Sequence, residues 1–408
     1  MLKLKLHWQI LIALVAAILY GLFLTDYVDY VSWMGTLFLR GLQMVVVPLV
    51  FSSIVSGVTN IGSGSNLGRL GLKTMSYYIL TSTFAILTGL FLVNLIQPGV
   101  GADLGFSQVV EGLEATEGSF VDTLLNIVPK NIFSAFTSGS MLSIIFFAIL
   151  FGFFIIQVED KYKTFLTDFF NSTFEVMMKV TLFVIKFAPL GILGIVAKVV
   201  ADQAGDPAML FDIVKRLGMF MVAVLAGLGF HAMVTLPLIV KFIGRSNPIK
   251  HFRAMTTPLL TAFSTASSNA TLPLTMDAVQ ANEGVSVKVS SFTLPMGATV
   301  NMDGTALYEC VVAMFIAQAY GIDLSFSQQI VVVITALLAS IGTAGIPMAS
   351  LVMMTIILSA VGLPLEGVGL VLAVDRILDM CRTTVNVWSD SCGAVTIAKS
   401  EGESLKIE

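Results

Sequence analysis

The chain has 408 residues, of which 56% are hydrophobic and only 12% are charged, and its mean hydropathy is +0.91. Because soluble domains carry about 25% charged residues, this composition excludes a water-exposed globular fold and favours a membrane protein with many spans. The net charge of −4 offers no basic footprint for nucleic acid, and the three cysteines, without a CxxC pair, predict no disulfide framework.

The first part of the chain predicts simple spans. A helix that crosses a bilayer needs about 20 apolar residues. The first span follows Lys3 and Lys5 without a small-residue cleavage site, so we expect a retained helix rather than a removed signal peptide. Six spans are predicted in chain order, at 8–25, 36–59, 74–97, 131–157, 164–198 and 213–243.

Polar residues interrupt the apolar pattern in the second part of the chain. Residues 247–280 form two half-length apolar pieces around FSTASSNATLP, and residues 325–362 form two pieces around GTAGIPMAS. Between them, 285–319 is a span broken at NMDG, and a last span covers 364–398. The predicted fold is therefore an all-α polytopic membrane protein with eight transmembrane helices and two split segments.

The distribution of Lys and Arg predicts the orientation. Most basic residues between spans fall on the side of the N-terminus, so both termini are expected in the cytoplasm. In that topology the 247–280 segment begins and ends on the inner side, and the 325–362 segment on the outer side. Irregular backbone at membrane depth is tolerated only where protein or a cavity surrounds it. Two opposed re-entrant hairpins therefore predict a midplane binding site in a transporter with inverted repeats.

The last span carries a polar stripe. At 3.6 residues per turn, six polar side chains of this span fall on one narrow face of the helix. Each ionised group at the bilayer centre costs about 2.5–3.5 kcal/mol on insertion scales, so the stripe indicates a bound ligand that compensates it. A structural Asp379–Arg382 ion pair is the alternative, but it does not account for the other polar members. The stripe consists of Asp375, Asp379, Arg382, Thr383, Asn386 and Asp390.

The residue types indicate an amino acid with a second carboxylate. Arg382 offers a planar fork that suits a carboxylate, and Asp379 offers the opposite charge for an ammonium group. At the first hairpin tip, Ser267 and Ser268 open a half-helix whose backbone N–H groups favour a further carboxylate.

The broken span indicates a hard cation. Asn301 and Asp303 interrupt an apolar helix, and the freed carbonyl groups and the carboxylates of Asp303 and Asp390 suit Na⁺. Glu309, an intramembrane carboxyl, is a candidate proton relay, and the alternative is a protonated core glutamate. The histidines lie apart from these motifs in the sequence and are expected to have no part in the site: His7, His231 and His251.

Four motifs in order resemble the glutamate/aspartate transporter family of dicarboxylate/amino acid:cation symporters. They are NMDGT at 301–305, the serine-rich tip before TLP at 271–273, GIP at 345–347 and DMCRTTVN at 379–386. The resemblance covers essentially the whole chain. It implies a symporter for aspartate or glutamate with Na⁺ as the coupling ion, no organic cofactor and no enzymatic activity. It also implies a homotrimer in the plasma (inner) membrane.

The resemblance further implies an elevator mechanism, in which a transport domain slides through a scaffold. The scaffold would comprise residues 1–70 with spans one and two, and 99–205 with spans four and five. The transport domain would comprise 71–98 with span three, and 206–408 with span six, both hairpins, and spans seven and eight.

Residue by residue, the resemblance implies one substrate shell and three sodium sites. With Ser267 at the tip, the substrate shell is Ser268, Thr305, Ile346, Ser350, Asp379, Arg382, Thr383 and Asn386. One sodium site is Gly297, Asn301, Asn386 and Asp390; a second, largely through carbonyl groups, is Thr299, Ser340, Ile341 and Thr343; and a third is Tyr78, Thr81, Ser82, Asn301 and Asp303.

One departure from the family pattern concerns a second arginine near the substrate. Its two usual positions hold Ala266 and Met380 here, and Arg376 is the predicted substitute. Two related substrates remain as alternatives, although a neutral amino acid would not need Arg382 and a C4-dicarboxylate would not need Asp379. A membrane enzyme is disfavoured because the chain has no HExxH motif and no Ser/His/Asp arrangement. The choice between aspartate and glutamate as the substrate stays open, and so does the transport of protons in addition to sodium.

Overall fold

The computed structural model describes residues 6–61, 68–101, 125, 127–203, 207–341, 350–365 and 367–407. All regular secondary structure in these ranges is helical. The first helices are α1 Leu6–Phe23, α2 Asp29–Ile61, α3 Gly68–Ile96, α4 Ile132–Ser138, α5 Met141–Ile155, α6 Asp160–Ile185 and α7 Ala188–Gln203. The others are α8 Pro207–Phe230, α9 Leu236–Phe242, α10 Pro248–Ala254, α11 Thr256–Thr265, α12 Ser268–Asp277, α13 Val287–Val300, α14 Asp303–Ala319, α15 Phe326–Ile341, α16 Ser350–Ala360 and α17 Gly367–Ser400.

Several helical segments are long and apolar enough to cross a membrane. Within the described ranges four pass this test, and a fifth is the pair α6–α7, which is bent by 49°. The predicted all-α, multi-pass class is thereby confirmed, and the finer count of eight spans and two hairpins stays a prediction. The four single segments are Asp29–Thr59, Arg69–Ile96, Phe211–Phe242 and Val287–Ala319.

Two segments predicted as continuous spans are interrupted in the structure. The 164–198 span is divided into α6 and α7, and Pro189 lies at the second position of α7. Proline has no N–H to continue the hydrogen-bond ladder, which accounts for a break there. The 131–157 span is divided after α4, where Gly139 takes a left-handed conformation with φ 68°.

The helix α14 lies at the centre of the second half of the chain. It packs against α3, α8, α15 and α17, and nearly every residue along it is buried. A helix covered on all sides by other helices has no face for lipid. The chain is non-helical at Asn301 and Met302, between α13 and α14. The predicted break of this span is thus confirmed, and it lies inside the protein.

The residues that follow α17 fold back onto the ends of two other helices. The Glu401 carboxylate pairs with Lys73 Nζ at 2.6 Å and with Arg69 Nη2 at 2.7 Å, both at the start of α3. The Glu403 carboxylate accepts hydrogen bonds from the N–H of Ser286 at 2.9 Å and from its hydroxyl, at the start of α13. These contacts hold the end of α17 against α3 and α13.

We expect Glu401→Gln to lower the unfolding temperature at pH 7 by about 1–3 °C, because exposed ion pairs contribute little. Hydrogen bonds from Lys73 and Arg69 lower the pKa of Glu401 to about 2, from an ordinary value of 4.5. The ion pairs therefore stabilise the fold above pH 4.5, and this contribution is lost as the pH falls from 4.5 toward 2. Thermal unfolding in detergent at pH 7 and pH 3 measures it, with exposed Glu159→Gln as the control. A decrease in unfolding temperature of Glu401→Gln that is as large at pH 3 as at pH 7 would contradict this role of the ion pairs.

Candidate substrate and cation sites

The guanidinium of Arg382 is the centre of the first site. Its Nη2 lies 2.9 Å from Asp379 Oδ1, and its Nη1 lies 3.0 Å from Asp375 Oδ1. Its Cζ lies 3.8 Å from the centroid of the Tyr308 ring, and the Tyr308 hydroxyl donates to Asp375 at 2.8 Å. Only 1% of Arg382 is exposed. Two carboxylates and an aromatic face therefore hold this cation in one position inside the protein.

Several polar atoms of this cluster have no hydrogen-bond partner among the described residues. They are Nε and Nη1 of Arg382 and Oδ2 of Asp379, and all three are buried. The Nη1 contact with Asp375 is close but is not aligned as a hydrogen bond. Buried polar atoms are nearly always satisfied, so such exceptions require an explanation. Free N–H donors suit a carboxylate, and a free carboxylate oxygen suits an ammonium group.

Asn386 joins the stripe to the start of α14. Its Oδ1 accepts a 2.8 Å hydrogen bond from the N–H of Gly304, and its Nδ2 donates to Thr305 Oγ1 at 3.1 Å. A Cβ at Gly304 would lie 2.7 Å from the carbonyl oxygen of Arg382, so only glycine permits α14 to approach α17 this closely. Thr383 is also buried on α17.

The segment predicted as the first hairpin tip forms a helix start, as predicted. Ala266 ends α11 in a left-handed conformation with φ 50°. Ser267 is the N-cap of α12, and its hydroxyl accepts from the N–H of Ala270 at 3.3 Å. Ser268 is the first residue of α12 and is buried. The helix α12 packs against α17, which carries Arg382.

The segment predicted as the second hairpin contacts the arginine through one of its described residues. Ser350, the first residue of α16, accepts a 3.0 Å hydrogen bond from Arg382 Nη2. Two residues predicted for the sites, Ile346 and Thr343, lie outside the described residues.

Oxygen atoms of α3 and of the α13–α14 break form the second cluster. The Thr81 hydroxyl lies 3.3 Å from Asn301 Oδ1 and 3.4 Å from Asp303 Oδ1. The Ser82 hydroxyl donates to the same Asp303 oxygen at 2.5 Å. All four side chains are buried. The structure therefore brings together four of the five residues of one predicted sodium site.

Asp390 and Gly297 extend this cluster toward α17 and α13. Asp390 Oδ1 accepts a 2.9 Å hydrogen bond from Asn301 Nδ2. A Cβ at Gly297 would collide with Asp390 Oδ1 and would lie 2.7 Å from the hydroxyl of Tyr78. Tyr78, the fifth predicted member, directs that hydroxyl to the carbonyl oxygen of Thr293 at 2.7 Å. The carboxylates of Asp390 and Asp303 are thus linked through the Asn301 amide together with the Thr81 hydroxyl.

The donor set fits a hard monovalent cation. It consists of carboxylate, amide and hydroxyl oxygens without sulfur, and oxygen ligands of this kind suit alkali and alkaline-earth ions. Among the described residues no group of three or more His, Cys, Asp and Glu side chains could hold a metal ion. The cluster combines two carboxylates, those of Asp303 and Asp390, with neutral amide and hydroxyl oxygens, and a mixed oxygen set of this kind suits Na⁺.

Two residues of this cluster were not predicted from the sequence. His231 Nε2 lies 3.0 Å from Asp303 Oδ2, and Ser389 Oγ donates to the same oxygen at 2.6 Å. The expectation that His231 lies apart from the motifs is wrong. Helix packing brings it into contact with Asp303, although the two residues are 72 positions apart in the sequence. The only signal was a histidine inside an apolar span, which is unusual without a partner. His251 instead pairs with Glu283 at 2.6 Å.

In the part of the chain that the structure describes, no hydrogen bond joins the three residues Thr299, Ser340 and Ile341 of the remaining predicted sodium site. Thr299 is exposed, and its hydroxyl donates to the carbonyl oxygen of Met296 at 3.0 Å. Ser340 is buried and donates to Leu337 in its own helix at 2.8 Å. Ile341 ends α15. This site stays a prediction.

Long apolar helices surround a buried arginine with unsatisfied donors and a buried oxygen cluster. These features together define a multi-pass membrane transporter. The chain belongs to the sodium:dicarboxylate symporter family, whose family model matches residues 6–400, and this is a family of transporters, not of enzymes.

Curated relatives cover nearly the full length of the chain. The "Proton/glutamate-aspartate symporter" of Escherichia coli (strain K12) is 36% identical over 98% of this chain and 93% of its own length. The "Proton/sodium-glutamate symport protein" of Geobacillus stearothermophilus is 38% identical over 98% of this chain and 96% of its own length. "Excitatory amino acid transporter 3" of Oryctolagus cuniculus is 35% identical over 99% of this chain and 87% of its own length. The family recognised from the motifs is thereby confirmed.

Arg376 adds a second positive charge next to Asp379, and its replacement is expected to weaken acidic-substrate binding about three- to tenfold. Its Nη1 lies 3.6 Å from Asp379 Oδ2, and one-third of its side chain is exposed. The charges of Arg376 and Arg382 balance those of Asp375 and Asp379, and without Arg376 this group of side chains is net negative and repels an anion. Partial exposure limits the effect.

The measurement is the KM for labelled aspartate in Arg376→Ala, with Arg376→Lys as the control that keeps the charge. An unchanged KM in the alanine variant would remove Arg376 from the substrate site.

Proposed function

We propose that the protein is a secondary active symporter that carries acidic amino acids into the cell with Na⁺. The observation that carries this proposal is the buried Arg382, held between two carboxylates while two of its nitrogens lack hydrogen bonds. The names of the relatives support it, since they describe symporters of glutamate or aspartate. We place the protein in the plasma (inner) membrane, with both termini in the cytoplasm.

The substrate would lie between α17 and the two hairpins. Its side-chain carboxylate would accept hydrogen bonds from Arg382, and its ammonium group would bind Asp379 Oδ2. The N–H groups at the start of α12, at Ser268, would bind the α-carboxylate with Asn386. Ser267, Ile346, Ser350, Thr305 and Thr383 would complete the shell.

The coupling ion would neutralise carboxylates that otherwise repel an anionic substrate. Asp303, Asn301, Thr81, Ser82 and Tyr78 would hold one Na⁺. Gly297, Asn301, Asn386 and Asp390 would hold another, and Thr299, Ser340, Ile341 and Thr343 a third.

Asn386 belongs to both the substrate shell and a cation site, and Asn301 to two cation sites. The ligands therefore share side chains, and each is expected to raise the affinity for the other by equal factors.

Glu309 is proposed as a proton carrier beside Na⁺. It is 1% exposed, and neither carboxyl oxygen has a hydrogen-bond partner among the described residues. It follows Tyr308 on α14, and its charge interacts with that of Arg382. The name of the Escherichia coli relative includes proton coupling and supports this proposal.

We further propose the homotrimeric elevator architecture, with eight spans and two opposed hairpins. The helices α1, α2, α5, α6 and α7 pack on one another, and α3, α8 and α11–α17 pack around α14 and α17. The first group would belong to the scaffold, residues 1–70 and 99–205. The second would belong to the transport domain, residues 71–98 and 206–408.

The proposed function is tested by uptake of labelled aspartate, glutamate, malate and serine into proteoliposomes, with and without an inward Na⁺ gradient. We expect aspartate or glutamate to accumulate only with the gradient. Preferential accumulation of malate would identify a C4-dicarboxylate symporter, and preferential accumulation of serine a neutral amino acid symporter. Acidic uptake that needs a proton gradient but no Na⁺ would contradict sodium coupling.

A further inference from the structure

The hydroxyl of Ser389 lies between the two polar side chains of the broken span. It donates a 2.6 Å hydrogen bond to Asp303 Oδ2, and it accepts a 3.0 Å hydrogen bond from Asn301 Nδ2. The side chain is completely buried. Tyr77 additionally donates to the Ser389 carbonyl oxygen at 3.4 Å, which ties this turn of α17 to α3. Ser389 is thus the direct link between α17 and both residues.

These contacts determine which end of the Asn301 amide faces α3. Its Nδ2 donates to Ser389 Oγ and to Asp390 Oδ1, so both amide hydrogens point toward α17. Its Oδ1 therefore points toward Thr81 and is available as a ligand. Since the serine hydrogen is already donated to a carboxylate, Ser389 can only accept from Asn301. If the amide were reversed, Asn301 Oδ1 would face Ser389 Oγ and Asp390 Oδ1, and neither oxygen could donate a hydrogen bond to it.

The two carboxylate oxygens of Asp303 have different hydrogen-bond partners. Oδ2 is bonded to Ser389 and His231, neither of which belongs to the proposed ligand set. Oδ1 faces the hydroxyls of Ser82 and Thr81, which do belong to it. Hydrogen bonds to an ionised carboxylate are short and strong, so Oδ2 is kept in place while Oδ1 remains directed at the cation.

We propose that Ser389 is a positioning residue for the cation site that contains Asn301 and Asp303. It does not bind the cation; it fixes the orientation of the amide and of the carboxylate that do. The inference rests on the proposed function as a Na⁺-coupled symporter. Ser389→Ala removes one of the two acceptors that orient the Asn301 amide, leaving Asp390 Oδ1, and it removes one hydrogen bond from Asp303. We expect about a tenfold weaker Na⁺ affinity, as for loss of a hydrogen bond to a charged group.

The test measures Na⁺ binding without transport. The unfolding temperature of the purified protein in detergent is followed as choline is replaced by Na⁺ in the absence of substrate, because an ion that binds only the folded state raises it. Ser389→Ala is expected to move the Na⁺ midpoint about tenfold upward. Ser389→Thr, which keeps the hydroxyl, is expected to restore most of the shift.

Ser391→Ala is the matched control. Ser391 is equally buried and lies two residues further along α17, but it donates to Trp388 in its own helix and contacts His251. We expect no change in its Na⁺ midpoint. The preference for Na⁺ over Li⁺ is expected to be reduced in Ser389→Ala, which a general loss of stability would not produce.

An unchanged Na⁺ midpoint in Ser389→Ala, in a background where the unmodified protein responds to Na⁺, would overturn the inference. So would a threonine variant as impaired as the alanine variant. If the unmodified protein itself shows no Na⁺ response, the proposed sodium coupling fails instead. Should the alanine variant not fold, Ser389→Cys keeps the volume with a much weaker hydrogen-bonding group and is held to the same expectation.

Discussion

Arg382→Ala is expected to weaken the binding of acidic amino acids by about 100-fold or more, and to abolish their uptake at micromolar concentrations. Removal of one partner from a buried, hydrogen-bonded charge pair in a binding site costs about 2–5 kcal/mol of affinity, because the other charge is left unpaired. Here both Asp375 and Asp379 lose their partner, and the substrate loses the donor of its side-chain carboxylate. The measurement is the KM and maximal rate for labelled aspartate in proteoliposomes.

Arg216→Ala is the matched control for that substitution. Arg216 also pairs with an aspartate, Asp212 at 3.1 Å, but on α8 and with partial exposure of both side chains. We expect its uptake to remain within about twofold of the unmodified protein, as for other exposed ion pairs. Normal accumulation of acidic amino acids by Arg382→Ala would contradict the proposed role of the arginine.

Asp390→Asn is expected to raise both the Na⁺ concentration for half-maximal uptake and the KM for aspartate at fixed Na⁺, each by about tenfold or more. The substitution removes a negative charge from the cation cluster. It also replaces the carboxylate that accepts from Asn301 Nδ2 at 2.9 Å with a neutral amide. Because cation and substrate binding are linked, weakening one must weaken the other.

The measurement is the initial rate of aspartate uptake over a series of Na⁺ concentrations. Asp168→Asn, at an exposed position on α6, is the control for a change of charge outside the site. Sodium-independent, tight aspartate binding by Asp390→Asn would show that the cluster does not couple the two ligands.

The parts of the site that lie on one helix were predictable from the sequence. Asp379 and Arg382 are spaced to meet on α17 whatever the rest of the fold does, and the structure joins them at 2.9 Å. The break of the span at Asn301 was predictable because polar residues and a glycine interrupt an apolar run. Both predictions follow from local geometry and from the high cost of polar groups in the membrane.

The parts that depend on packing between distant segments were not predictable. Ser389 meets Asp303 across 86 positions, and no local pattern distinguishes it from any other serine on α17. Tyr308 had the pattern of a core residue, although its ring covers the guanidinium of Arg382. His231 follows α8 in a π-helical turn ahead of Pro237. Such turns change which face a side chain occupies, and periodicity alone does not reveal them.

The most direct test of the central claim compares two ligands on two proteins. Aspartate and serine differ by the presence of a side-chain carboxylate, and Arg382 is proposed to bind that group. Equilibrium binding is measured for both ligands, with the unmodified protein and with Arg382→Ala, at saturating Na⁺. We predict a preference for aspartate of about 100-fold or more in the unmodified protein that falls to near unity in the variant. An equal preference for aspartate in both proteins would show that another group binds the second carboxylate, and would contradict the account.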